Sequence, residues 1–130
     1  MLQCIVVTPE QTVYEQKADF VAMMLYDGEI GIGPDHTPLI GRLGFGEMRV
    51  RQGNKTESFY IEGGFVEVMD DVVSVLTHRA VPAAEVDEAV AREQLANIEK
   101  QPAKTPEAVA VRDRVMAQSR AQIRIAQKAR

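Results

Sequence analysis

Cysteine, tryptophan and histidine are nearly missing from this chain of 130 residues, and each shortage closes a class of mechanism. Cys4 is the single cysteine, so no internal disulfide can form and the fold does not depend on an oxidising compartment. It stands in an apolar run and reads as core filler rather than as a reactive thiol. Tryptophan is absent and aromatics make up 5%, which leaves little to stack on bases and speaks against nucleic-acid binding. The two histidines, His36 and His78, have no further ligands clustered around them, so no metal site is expected. Asp35 and His36 are neighbours, but no serine or cysteine nucleophile completes a catalytic set with them. No apolar run approaches the ~18–20 residues needed to span a bilayer. The start of the chain has no basic segment followed by an apolar one, and is neither Arg-rich nor Ser-rich. It reads as neither a secretory signal nor a transit peptide.

What is present is enough apolar material for one modest core: 45% hydrophobic and 26% charged residues, ordinary values for a globular protein. The formal net charge of −4 is unevenly spread. From Pro106 onward there are six basic residues (Arg112, Arg114, Arg120, Arg124, Lys128 and Arg130) and two acidic ones, a net +4, so the first 105 residues carry −8. A cationic tail of this kind calls for an acidic partner, or for the acidic surface of the body itself.

The hydropathy period divides the chain in two. Up to about residue 80 the apolar runs are short, rich in Val, Ile, Phe and Tyr, and broken by turn signals. Residues 2–8 form one run and end at Pro9; residues 18–26 form another and end at the hairpin dipeptide Asp27-Gly28. Residues 45–52 alternate, with Met48 and Val50 on one side and Arg49 and Arg51 on the other. Gly53-Asn54 supplies a turn in which both residues tolerate positive φ, and residues 56–62 follow with Phe59 and Ile61 on one face. Gly63-Gly64 and Asp70-Asp71 punctuate two more runs, the last over residues 72–77. Many short strands at this spacing predict a β-sandwich or a flattened barrel. After Pro82 the period becomes helical. The first helix is expected from about residue 84 to 100, with Ala84, Ala91, Leu95 and Ile98 on one face and Val86 and Val90 on another. Thr105-Pro106-Glu107 starts a second helix: an N-cap, a proline at the first helical position, and an acid at the positive end of the dipole. Its apolar stripe (Ala108, Val111, Val115, Ser119, Gln122, Ala126) is narrow and weak, and a short linker makes the pair an antiparallel hairpin.

No phosphate-cradling motif occurs, and the glycines at 28, 31 and 33 do not open a helix, so they read as turn or bulge positions. The densest segment is residues 27–43, DGEIGIGPDHTPLIGRL. Its glycines and prolines fix an irregular backbone while Ile30, Ile32, Leu39 and Ile40 stay available for burial. Such a segment holds one shape and can present Glu29, Asp35 and His36 outward. From the residues alone, a sandwich crossover loop and a docking surface both remain open.

This segment resembles the ε subunit of F-type ATP synthases, whose β-domain carries a GxxGI…P-x-H-x-P-L-I/L pattern; here it runs from Gly28 through Pro34, His36 and Pro38 to Ile40. Gly63-Gly64-Phe65-Val66-Glu67-Val68 is similar to a second family strand, and Val6-Val7-Thr8-Pro9-Glu10 to its first strand and turn. The resemblance covers the whole chain. It implies an α+β fold, with an antiparallel β-sandwich over residues 1–82 that docks on the rotor and a regulatory two-helix hairpin over residues 83–130. It implies a non-catalytic role in the central stalk, linking the γ subunit to the c-ring, so that the chain helps couple proton or ion flow to ATP synthesis. Glu29 matches a position near the polar loops of the c-ring, and His36, with Asp35 beside it, one close to the contacts of γ and c. The hairpin would extend transiently into the α and β subunits and brake ATP hydrolysis. Arg112, Arg114, Arg120, Arg124 and Lys128 would then meet acidic partner segments, an effect that salt should weaken.

Some bacterial members bind ATP at the hairpin through an I/L-D-x-x-R-A motif and arginines of the second helix. Asp87, Arg120 and Arg124 match, but Val90 stands where the motif arginine belongs. Arg92 is two residues on, ~200° around the helix. No tight ATP binding is therefore expected, and no cofactor. Membrane association is expected only through the complex, at the cytoplasmic face of a bacterial plasma membrane in preference to a thylakoid. The rival reading is a free-standing nucleotide or metabolite sensor whose hairpin closes over a ligand. An enzyme built on Asp35 and His36 ranks behind both.

Overall fold

The computed structural model describes residues 1–129; Arg130, counted above in the cationic tail, lies outside the described residues. The chain divides into two compact units, one from Met1 to Pro82 and another from Ala83 onward.

The first unit is made of strands β1 (Leu2–Val7), β2 (Thr12–Ala18), β3 (Phe20–Leu25), β4 (Gly28–Ile32), β5 (Leu39–Arg42), β6 (Phe45–Gln52), β7 (Lys55–Glu62), β8 (Phe65–Met69), β9 (Val72–Leu76) and β10 (Ala80–Pro82). They form two five-stranded sheets, β2-β1-β9-β8-β5 and β10-β7-β6-β3-β4. Every pairing is antiparallel except β1 with β9. The inner faces meet in one core, in which Leu2, Cys4, Val6, Val66, Val68, Val73 and Val75 of the first sheet pack with Val21, Met23, Ile32, Met48, Val50, Phe59 and Ile61 of the second. These are the inward members of alternating strands, and burying each is worth about 1.5–3 kcal/mol for a Val, Ile, Leu, Phe or Met side chain. The β-sandwich expected from the strand pattern is present. Burial raises the Cys4 thiol to about 12, which keeps it protonated and inert.

Two boundaries differ from the sequence reading. Residues 18–26 are not one strand. β2 ends at Ala18 in the first sheet and β3 starts at Phe20 in the second. Asp19 makes the crossing: its N–H donates to the Arg51 carbonyl and its carboxylate accepts from the Gly53 N–H at 2.6 Å. The β3–β4 turn also sits one residue earlier than expected. Leu25 pairs with Gly28, so Tyr26 and Asp27 make the turn and Gly28 opens β4 at φ +144°, a conformation suited to glycine. In the β6–β7 turn only Gly53 has positive φ, as a glycine-first hairpin turn requires.

The second unit opens with a 3₁₀ turn (Ala83–Glu85), followed by α1 (Glu88–Lys100) and α2 (Pro106–Lys128). The first helix thus starts four residues later than expected. Asp87 is extended and its carboxylate accepts from the Val90 N–H, making it the N-cap and leaving Ala84 and Val86 outside the helix. Thr105 caps α2 through the Ala108 N–H, with Pro106 at its first position, as the sequence predicts. The helices are antiparallel: Gln127, near the end of α2, reaches Glu88 at the start of α1. The buried residues are Ala91 on α1 and Ser119, Ala121, Gln122, Ile123, Ile125 and Ala126 on α2; Val111, assigned to the stripe, is 47% exposed. None of the helices among the described residues is long and apolar enough to cross a membrane.

Candidate docking surface

The outer face of the first sheet carries several large exposed apolar side chains. Strand register arranges it in rows. Arg42, Phe65, Leu76 and Val7 stand side by side across β5, β8, β9 and β1. Next come Ile40, Glu67, Ser74 and Ile5, then Met69, Val72 and Gln3. Ile40 is 76% exposed, Phe65 58%, Leu76 53% and Met69 50%. Single exposed apolar side chains are ordinary; several large ones sharing one sheet face mark an interaction surface. A signal for this face is legible in the sequence. β8 (FVEVM) and β9 (VVSVL) are apolar at both alternating parities. A sheet with one face on a core leaves the other parity outward.

The three docking residues expected from sequence do not form one cluster. Glu29 lies near the Tyr26–Asp27 turn, at the start of β4. Asp35 and His36 lie past its other end, in the loop of residues 33–38 that crosses from the second sheet to the first. From Glu29 to Ile32 alone the strand advances ~10 Å. The apolar face spans the same interval: Arg42 stacks over the Tyr26 ring at 4.9 Å at one end, and Met69 and Val72 flank the Asp70-Asp71 turn at the other.

Glu29 is engaged. Arg49 of β6 reaches across β3 to its carboxylate at 2.9 Å and holds Glu47 on its own strand at 3.0 Å. The two carboxylates, Glu29 first, raise the Arg49 guanidinium above its ordinary value. An ion pair this exposed adds ~0–1 kcal/mol to stability, so its main effect is to aim Glu29. His36 holds its Nδ1 2.7 Å from the Thr37 carbonyl. A carbonyl only accepts, so Nδ1 is the donor in this contact.

On α2 the basic residues are mostly solvent-facing. Arg114, Arg120, Arg124 and Lys128 are exposed, whereas Arg112 is half-buried with its Nε 3.6 Å from Asp113. A cavity of about 360 Å³ lies where the first turn of α1 meets the end of α2, lined by Ala83, Ala84, Val86, Asp87, Glu88, Ala89, Ala126 and Ala129. Asp87 is there, but Arg120 and Arg124 do not line it, and its two charged walls are carboxylates. Val90 is 47% exposed and Arg92 is paired with Glu88 at 2.8 Å. A polyphosphate would meet negative charge at this cavity.

Comparison with known proteins adds family and fold. The sequence model described as "ATP synthase, Delta/Epsilon chain, beta-sandwich domain" matches residues 1–83. An ATP synthase epsilon chain of Rhodopirellula baltica is 42% identical over 123 residues, 95% of this chain and 96% of that one. Another, of Rubrobacter xylanophilus, is 35% identical over 82% of this chain and 73% of that one. Among solved structures, a chain of the Tetrahymena thermophila mitochondrial ATP synthase central stalk/c-ring superposes with a TM-score of 0.76 at 14% identity, over 96% of each chain. A chain of the Euglena gracilis mitochondrial ATP synthase gives 0.74 at 22% identity, over 98% of this chain and 79% of that one. At such identities these two speak for the fold.

Proposed function

The chain belongs to the ATP synthase epsilon-chain family, and we propose that it is the non-catalytic part of the central stalk that ties the γ subunit to the c-ring. The observation that carries this reading is the outer face of the first sheet. Ile40, Phe65, Met69 and Leu76 give γ an apolar seat. The Asp35–His36 loop borders that seat at one end, while Glu29, held by Arg49 on the outer face of the second sheet, offers a carboxylate suited to the polar loops of the c-ring. Phe65 and Leu76 are about half exposed, so a partner that seals them gains roughly half of the ~1.5–3 kcal/mol that full burial of each is worth.

The hairpin is the regulatory element. Its fully buried side chains are mostly small or polar (Ala91, Ser119, Ala121, Gln122 and Ala126, with Ile123 and Ile125), and its larger apolar residues Leu95, Ile98, Val115 and Met116 are only half-buried. The 23-residue α2 reaches about 35 Å when extended, with Arg114, Arg120, Arg124 and Lys128 exposed along it to meet acidic segments of α and β. In this role the chain binds no nucleotide of its own and meets the cytoplasmic face of a bacterial plasma membrane only through the complex.

The deciding experiment is a Phe65→Glu/Leu76→Glu double variant added to a catalytic head that retains γ but lacks this chain. Binding should fall by at least ~100-fold, since two charges would be buried without partners, while circular dichroism stays unchanged. Undiminished binding would remove the outer face from the interface.

A further inference from the structure

We propose that Asp71 is a positioning residue for the docking loop: it belongs to another strand pair, yet it sets where Asp35 and His36 stand. This inference rests on the reading of the Asp35–His36 loop as part of the γ-facing surface. The loop of residues 33–38 has few ways to hold itself. Pro34 and Pro38 have no N–H to donate, and the loop's two ends lie in different sheets. At its centre Asp35 sits at φ +63°, a conformation that an L residue keeps only when its surroundings impose it. The side chain that reaches that point from outside is Asp71, whose Oδ1 accepts the Asp35 N–H at 2.7 Å across 36 residues of sequence.

Asp71 is itself well anchored. Met69 pairs with Val72, so Asp70 and Asp71 form a two-residue turn with φ of +51° and +61°, the left-handed pair that a tight hairpin needs. The Asp71 carbonyl accepts the Gln3 N–H at 2.8 Å, which ties the turn to β1. The carboxylate is therefore held by the first sheet, whose outer face is the proposed seat. Through it the loop's central peptide is registered to that seat, and with it His36, the next residue, whose ring is itself held by the Thr37 carbonyl. Aspartate side chains in turns commonly bond their own backbone; this one is spent on a distant loop.

The geometry separates hydrogen bond from backbone from charge. Asp71→Gly keeps the left-handed turn and removes the acceptor. Asp71→Asn keeps both the turn and an Oδ1 acceptor and removes the charge. His36→Ala removes the presented ring. Each full-length variant is measured for binding to the γ-containing catalytic head, with amide hydrogen exchange at Asp35 followed in the free chain.

Asp71→Gly should lose Asp35 amide protection and weaken binding by ~3–10-fold, with thermal unfolding unchanged, while Asp71→Asn stays near wild type in both. Asp71→Gly binding like wild type while His36→Ala binds weakly would overturn the positioning role and leave the docking reading intact. So would an Asp71→Asn variant as impaired as Asp71→Gly, because charge and not the hydrogen bond would then be responsible. Full binding by His36→Ala would remove the loop from the interface and this inference with it, whatever the Phe65→Glu/Leu76→Glu variant does.

Discussion

The sandwich buries Val, Ile, Leu, Met and Phe from both of its sheets, whereas among the described residues the hairpin fully buries Ala, Ser and Gln together with Ile123 and Ile125. The charges divide as well, with −8 on the first 105 residues and +4 from Pro106 onward. A core of branched and aromatic side chains fits one way and resists opening. A seam of small and polar side chains loses little when it parts, and low local stability is what a moving element requires. One chain thus combines a part suited to staying docked and a part suited to letting go.

Removing the second part is the strongest way to break this comparison. A chain ending at Pro82 keeps every residue of the sandwich core. It should fold, bind the γ-containing head, and raise the ATPase activity of that head severalfold over the head carrying the full chain. An unchanged ATPase would show that the hairpin is not a brake in this protein.

A smaller effect comes from the core itself. Met48 has no exposed surface. Met48→Ala should cost the sandwich about 2–5 kcal/mol, read from chemical denaturation. A cost below ~1 kcal/mol would mean that the core yields as easily as the hairpin seam.

Cys4 offers a probe confined to the sandwich. Its folded pKa of about 12 exceeds the ordinary 9.0, so the folded state holds its proton more tightly than the unfolded state does. That contribution is complete below pH 9, and is lost as pH rises toward 12. Near pH 8 a thiol reagent should label Cys4 only as the sandwich opens, and Met48→Ala should speed labelling. Truncation after Pro82 should not. Immediate labelling of the native chain would mean that the core admits reagent without opening.

The sequence was most legible where pattern and structure shared one cause. β6 alternates because one face meets the core, and the start of α2 is written in Thr105-Pro106-Glu107. It was least legible where a single side chain overrode the pattern. Asp19 turns what reads as one strand into two in different sheets, because its backbone and carboxylate bond to the β6–β7 hairpin. Asp87 delays α1 by capping it. The exposed residues of the sandwich follow the same rule. Residues 27–43 stood out by composition, but nothing in that stretch says that Glu29 and His36 lie toward opposite ends of β4. The exposed apolar residues of the first sheet come from β5, β8, β9 and β1, so they come into view as one face only with the strand order. Arg49 and Asp71, which hold the exposed residues in place, act across 20 and 36 residues and leave no local pattern.

The gentlest test concerns one hydroxyl in the hairpin. Ser119 is 1% exposed and its Oγ has no hydrogen-bond partner among the described residues. A buried hydroxyl without a partner costs free energy, and serine is a poorer helix former than alanine. Ser119→Ala removes both costs and fits within the space already there. It should stabilise the hairpin by about 0.5–1.5 kcal/mol, seen as slower amide exchange in α1 and α2 with the sandwich amides unchanged. In the assembled complex a firmer hairpin should extend less readily, so the brake should weaken. If exchange slows and braking is untouched, hairpin opening does not limit inhibition. If exchange does not slow at all, the seam is not set by the polarity of its buried side chains, and the contrast with the sandwich loses its physical basis.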